Sequence, residues 1–81
     1  MQYEYKTKGT CSQRILFDIE GGIIKNVQFI GGCNGNLQGI GKLVEGMEAS
    51  EVIERLKGIH CGTKPTSCPD QLANALEEAT K

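Results

Sequence analysis

The cysteines are the residues of this sequence whose type and number point most directly to chemistry. Cys11, Cys33, Cys61 and Cys68 stand in a chain of 81 residues and are separated by 21, 27 and 6 intervening residues. None of them forms the CxxC pair that is common in zinc fingers and thioredoxin-like proteins. Thiolates bind soft metal ions, hold iron–sulfur clusters and exchange with disulfides, so the cysteines offer these three kinds of chemistry.

The surroundings of the cysteines favour a shared site. Each cysteine lies at the boundary of a predicted element, and Cys33 and Cys68 stand where helices are predicted to begin. Free backbone N–H groups at a helix N-terminus favour the thiolate form. We therefore expect Cys11, Cys33, Cys61 and Cys68 to converge on one metal, either zinc in a Cys₄ tetrahedron or an iron–sulfur cluster. An all-thiolate shell suits both cofactors, so the choice between them stays open.

Three other interpretations of the cysteines stay open as well. Free cysteine often behaves as a small buried hydrophobe, in which case the chain is an interaction module without a metal. Cys61 and Cys68 could instead form the reversible disulfide of a redox accessory, if the loop that contains Pro65 folds back. Two structural disulfides would suit a secreted chain, but the sequence does not start with a signal-peptide block. His60, beside Cys61, is expected at the surface or behind the ligands rather than on the metal.

Composition excludes several classes of function. Nine basic and ten acidic residues give a net charge of −1, which leaves no basic stripe to hold a nucleic-acid backbone. No apolar run approaches the ~20 residues of a membrane span, and we expect a cytoplasmic protein. The sequence carries no motif of a hydrolase or metalloprotease, so we expect no catalysis by this chain alone. A chain this short holds one core, which predicts a single domain over residues 1–81.

Hydrophobic spacing predicts the elements that must position the cysteines. Apolar and polar residues alternate in three segments, which predict strands: 2–7, 14–20 and 23–30. Apolar residues at helical spacing predict three helices: 36–45, 50–57 and 67–79. This order predicts an α+β fold, in which a three-stranded antiparallel sheet (βββ) is followed by three helices packed on one face.

The register of the second hairpin follows from its apolar face. Pairing Ile15 with Phe29 keeps the apolar side chains of both strands together, whereas a slip of one residue mixes core and solvent faces. This register predicts a three-residue loop, Gly21-Gly22-Ile23, with a bulge and a glycine of positive φ.

Local signals also mark the helix ends. Ser67 is predicted to cap the last helix, with Asp70 completing a capping box, and Asn36 is predicted to cap the first. Gly39 and Gly41 each weaken the first helix by ~1 kcal/mol relative to alanine. We therefore expect this helix to lie very close to the sheet or to a partner.

Four short motifs, each with one cysteine, occur in an order that resembles the TSCPD domain family. They are Gly9-Thr10-Cys11-Ser12, the run from Phe29 to Leu37 around Cys33, Gly58-Ile59-His60-Cys61-Gly62 and Thr66-Ser67-Cys68-Pro69-Asp70. The likeness covers nearly all of the chain. A more distant likeness, to U-type iron–sulfur scaffold proteins, rests on a glycine-flanked cysteine before a helix and a second cysteine that opens an alanine-rich helix.

The resemblance implies a biological setting. A related TSCPD segment looks like the C-terminal region of adenosylcobalamin-dependent ribonucleotide reductases. This likeness implies a link to ribonucleoside-diphosphate reductase and deoxyribonucleotide synthesis, with a ribonucleotide reductase or another redox protein as partner. A chain of 81 residues lacks the length for the radical-bearing barrel and the cobalamin site. The resemblance therefore implies a detached small domain that binds a metal or relays reducing equivalents through its thiols.

Overall fold

Three strands and then three helices make up the fold. The computed structural model describes residues 2–10, 12–32 and 34–80, with residue 34 described by its backbone alone. The strands β1 (Gln2–Lys6), β2 (Ser12–Glu20) and β3 (Ile23–Gly31) form an antiparallel sheet in the order β1-β2-β3. The helices are α1 (Asn34–Val44), α2 (Ala49–Leu56) and α3 (Cys68–Ala79). The α+β fold predicted from the element order is confirmed, and no helix within the described ranges is long and apolar enough to cross a membrane.

The core lies between the central strand and the last two helices. Its fully buried apolar side chains come from β2, β3, α2 and α3: Ile15, Phe17, Ile24, Val52, Leu72 and Leu76. Because alternate residues of a strand point to opposite faces, Ile15 and Phe17 share the face of β2 that the helices cover. Tyr3 of β1 extends this face, since its ring stacks on Phe17 with the centroids 5.4 Å apart.

The β2–β3 hairpin has the predicted strand register but a different turn. Ile15 pairs with Phe29 as predicted, yet Glu20 pairs with Ile23, so the loop has two residues instead of the predicted three. Both loop glycines, at 21 and 22, have positive φ, as a tight type I′ turn requires. The extra residue of β3 is Asn26 (φ 57°), at the register shift between Leu16 and Asp18. Asparagine tolerates this left-handed conformation, so the strand absorbs the bulge that was expected in the loop.

Helix α1 lies close to the sheet, and Gly41 makes that approach possible. A Cβ atom at Gly41 would come within 2.9 Å of the carbonyl oxygen of Val27 in β3, whereas one at Gly39 would meet nothing within 4 Å. The expected close approach to the sheet is therefore confirmed for Gly41 but does not explain Gly39. The predicted cap at Asn36 is wrong, because α1 already begins at Asn34 and residue 36 lies within its first turn.

Candidate functional site

Two of the predicted metal ligands line one groove. This cysteine groove, with a volume of about 530 Å³, runs between α1, the loop after α2 and the first turn of α3, and both Cys61 and Cys68 line it. Cys11 and Cys33 lie outside the described residues. Their neighbours in the chain line the same groove, since Thr10 directly precedes Cys11 and Gly35 follows Cys33 by two positions. The groove is thus bordered by all four segments that carry a cysteine.

Cys68 is a buried thiol at the start of α3. Its residue is 7% exposed, and its Sγ lies 3.2 Å from the hydroxyl oxygen of Ser12, which is buried as well. The Ser12 hydroxyl is also 3.2 Å from the hydroxyl of Thr10. These contacts hold the first residue of β2 against the first residue of α3, fifty-six positions apart in the chain.

Cys61 is an exposed thiol in the loop between α2 and α3. Its backbone N–H donates to the carbonyl of Thr66 at 3.1 Å, and its own carbonyl accepts from the N–H of Lys64 at 3.0 Å. The exposure excludes, for Cys61, the interpretation that the cysteines serve only as core residues. His60 is exposed too, as predicted.

The described residues do not by themselves complete a metal shell. Within residues 2–10, 12–32 and 34–80, no group of three or more His, Cys, Asp or Glu side chains is arranged to hold a metal ion. The described ranges contain only two of the four predicted ligands. The metal site on Cys11, Cys33, Cys61 and Cys68 therefore stays a prediction.

Positive helix ends meet at the cysteine groove. The first turn of α1, through Gly35 and Asn36, and the first turn of α3, through Cys68, both contribute to its lining. Helix N-termini carry a partial positive charge that stabilises nearby anions, thiolates included. Lys64 also lines the groove and adds a full positive charge. This environment suits a cluster of thiolates better than a cluster of neutral thiols.

Ser67 caps α3 as predicted, but the capping box is only half formed. The Ser67 hydroxyl accepts from the N–H of Asp70 at 3.2 Å and donates to the carbonyl of Ile59 at 2.6 Å. The Asp70 carboxylate does not complete the box, because its hydrogen bonds come from the N–H of Gly58 and the hydroxyl of Thr66. The carboxylate thus holds the preceding loop instead of its own helix end.

The Asp70 carboxyl is held in its ionised form. Burial by itself raises the pKa of Asp70, but the hydrogen bonds from Thr66 and Gly58 lower it. The positive charges of His60 and Lys57 lower it further. The net effect is a pKa below the ordinary carboxyl value of 3.8.

Sequence reasoning missed three buried polar residues that surround the cysteine segments: Ser12, Thr66 and Gln71. The burial of Ser12 could not be predicted from the sequence, because a register shift between Ser12 and Arg14 interrupts the alternation of β2. Gln71 could have been found, because it lies three residues after Cys68 and one before Leu72, on the buried side of α3. The role of Thr66 could not be predicted, because its hydroxyl bonds to the side chains of Asp70 and Gln71, and no local motif specifies these bonds.

Comparison with known proteins identifies the family alone. A search of curated proteins and a search of solved structures gave no match. The family model described as the TSCPD domain matches residues 1–80. This match spans all four cysteine motifs and nearly the whole chain, as the sequence resemblance predicted. The chain therefore belongs to the TSCPD domain family.

Proposed function

We propose that the chain is a small, non-catalytic metal-binding domain in which Cys11, Cys33, Cys61 and Cys68 hold one zinc ion or one iron–sulfur cluster. The observation that carries the proposal is the cysteine groove, which Cys61 and Cys68 line together with chain neighbours of Cys11 and Cys33. Four thiolates around a divalent cation carry a net negative charge. The first turns of α1 and α3 and the Lys64 ammonium, all at this groove, suit such a charge.

Metal analysis of reduced protein tests this proposal. Protein purified under anaerobic conditions is assayed for zinc, iron and sulfide, and its free thiols are titrated before and after a chelator is added. We expect about one zinc per chain, or iron with matching sulfide, and thiols that become reactive only after chelation.

Single variants then identify the ligands. Each of Cys11→Ser, Cys33→Ser, Cys61→Ser and Cys68→Ser is expected to lower metal content and stability. His60→Gln is the matched control, because His60 is adjacent to Cys61 but exposed, and it should keep the metal. Full metal content in all four cysteine variants contradicts the proposal.

The second candidate is a redox accessory that uses Cys61 and Cys68. An exposed thiol and a buried thiol on one groove, with six residues between them in the chain, suit a reversible disulfide. The two thiols would lose two electrons and two protons as the S–S bond forms, and a partner disulfide such as oxidised glutathione would be reduced to two thiols. Metal-free protein equilibrated with glutathione redox buffers should then show a potential of roughly −200 to −300 mV. A bridge that never forms under oxidised glutathione rejects this candidate.

As partner we propose a ribonucleotide reductase or another redox protein, in the reducing setting of the cytoplasm. The sequence resemblance to the C-terminal region of adenosylcobalamin-dependent reductases supports this proposal. The test adds the purified chain to such a reductase from which the TSCPD segment has been deleted. We expect binding by calorimetry and a change in turnover when the dithiol reductant is limiting. No binding and no change in turnover would reject this partner.

A further inference from the structure

The carboxylate of Asp70 joins the two ends of the loop that carries Cys61. Its Oδ1 accepts from the N–H of Gly58 at 2.7 Å, just after α2, and its Oδ2 accepts from the hydroxyl of Thr66, just before α3. The loop is closed further by the bond from the Cys61 N–H to the Thr66 carbonyl. Cys61 is therefore carried on a segment that is fastened to α3 rather than on a free loop.

The side chain of Gln71 makes the corresponding connection to the segment before Cys11. Its Oε1 accepts from the backbone N–H of Lys8 at 3.1 Å, three positions before Cys11. Its Nε2 donates to the hydroxyl oxygen of Thr66 at 2.9 Å. One amide thus links the N-terminal cysteine segment to the residue that closes the Cys61 loop.

The Thr66 hydroxyl is where these two connections meet. A hydroxyl has one donor and can accept as well, and here it donates to Asp70 and accepts from Gln71. Thr66, Asp70 and Gln71 are all buried, at 8%, 8% and 6% exposure, so water competes little for these bonds. The α3 cap is already provided by Ser67, which means that this network is not needed to start the helix.

We propose that Thr66 is a positioning residue that couples the segment before Cys11 to the loop that carries Cys61. The coupling runs from Lys8 through Gln71, Thr66 and Asp70 to Gly58 and sets the relative placement of the two segments. Its role in metal binding rests on the function proposed above. The coupling itself can be measured in metal-free protein.

Two substitutions at one position separate the hydroxyl from the methyl group. Thr66→Val removes the hydroxyl and keeps the branched shape, including the methyl group that lies against Gly9. Thr66→Ser keeps the hydroxyl and removes that methyl group. Ile24→Val, a buried core change away from the network, is the control for a general loss of stability.

The first readout is amide hydrogen exchange in reduced, metal-free protein. The measured quantity is the exchange rate of the Lys8 and Gly58 amides divided by that of amides within α2. We expect Thr66→Val to raise this ratio by about tenfold or more. Thr66→Ser and Ile24→Val should leave it near the wild-type value. If Thr66→Val leaves this exchange ratio unchanged, or if Ile24→Val raises it as much, the proposed coupling is wrong.

The second readout is zinc affinity, measured by competition with a chelator. We expect Thr66→Val to weaken binding by about tenfold and Thr66→Ser by less than about threefold. If wild-type protein binds neither zinc nor iron while the exchange result holds, the metal function fails and the coupling stands. If metal binds equally well to wild type and Thr66→Val, the proposed role of the coupling in the site is rejected and the metal function stands.

Discussion

The N–H of Gly58 and the carboxylate of Asp70 meet at 2.7 Å, although the two residues are twelve positions apart in the chain. Gly58 follows α2 and has a positive φ of 88°, while Asp70 lies in the first turn of α3. Their contact fixes how the chain leaves one helix and enters the next. The intervening loop carries Cys61 to the groove that Cys68 also lines.

The stability of the metal-free protein should depend on the ionisation of Asp70. Its pKa is lower in the folded chain than in the unfolded chain, so the ionised carboxylate stabilises the fold above the ordinary value of 3.8. This stabilisation is lost as the pH falls through the lower, folded-state pKa. Urea unfolding from about pH 5 down to about pH 2 should show a smaller decline for Asp70→Asn than for wild type. An unchanged slope in Asp70→Asn would contradict the prediction.

Two glycines of α1 should respond oppositely to alanine. Gly41→Ala places a Cβ atom 2.9 Å from the Val27 carbonyl oxygen and should destabilise the fold by ~1–3 kcal/mol. Gly39→Ala has open space and should stabilise it by ~0.5–1 kcal/mol through helix propensity. Urea unfolding measures both, and stabilisation by both substitutions would show that α1 does not approach β3 so closely.

Loss of the α3 cap should be costly. The Ser67 hydroxyl accepts a hydrogen bond from the backbone N–H of Asp70 and donates one to the carbonyl of Ile59. Ser67→Ala should therefore lower the free energy of unfolding by ~1–2 kcal/mol. The control is Ser50→Ala, because Ser50 is exposed and is not the cap of α2; its effect should stay within ~0.5 kcal/mol. If the two substitutions change the free energy of unfolding equally, Ser67 does not stabilise the protein as the cap of α3.

A β-branched residue at the bulge of β3 should destabilise the protein. Asn26 has φ 57° and donates from its side chain to Asp18 at 3.0 Å. Asn26→Gly keeps the backbone unstrained, whereas Asn26→Val should be less stable than Asn26→Gly by ~1–2 kcal/mol. Thermal or urea unfolding compares the pair. If valine matches glycine, the extra residue of the hairpin lies elsewhere.

The two described thiols should differ in reactivity once any metal is removed. Cys61 is exposed, while Cys68 is 7% exposed and in contact with Ser12. Iodoacetamide should therefore label Cys61 about tenfold faster or more, as read by mass spectrometry of the two peptides. Ser12→Ala removes the hydroxyl that contacts the Cys68 thiol and should reduce the difference in labelling rate between Cys61 and Cys68. Equal labelling rates in the native protein would contradict the burial of Cys68.

Much of the fold follows from patterns within short stretches of sequence. Alternation predicted the three strands, and the pairing of Ile15 with Phe29 followed from the need for one apolar face. Ser67 was recognisable as a cap because an N-cap is defined by residues within one turn. The position of the hairpin bulge could not be predicted, because a loop glycine and Asn26 can both supply the positive φ that the register requires.

The candidate site was predictable in part. Its cysteines and their family were visible in the sequence, and the family is confirmed over residues 1–80. The bonding partners of the polar residues around them could not be predicted, because hydrogen bonds between distant segments have no fixed spacing along the chain. The partner of Gln71 lies sixty-three positions away at Lys8, and that of Cys68 lies fifty-six positions away at Ser12.

The sequence by itself therefore determined the order of the elements, the apolar face of the sheet, the cap of α3 and the family, since each depends on residue type at short separation. The tertiary structure decided where the polar side chains of Thr66-Ser67-Cys68-Pro69-Asp70 make their bonds. It also decided that Gly41, rather than Gly39, lies against the sheet. These outcomes depend on how α3 packs on β2 and α1 on β3, which is settled by burial of the common core and not by any local rule.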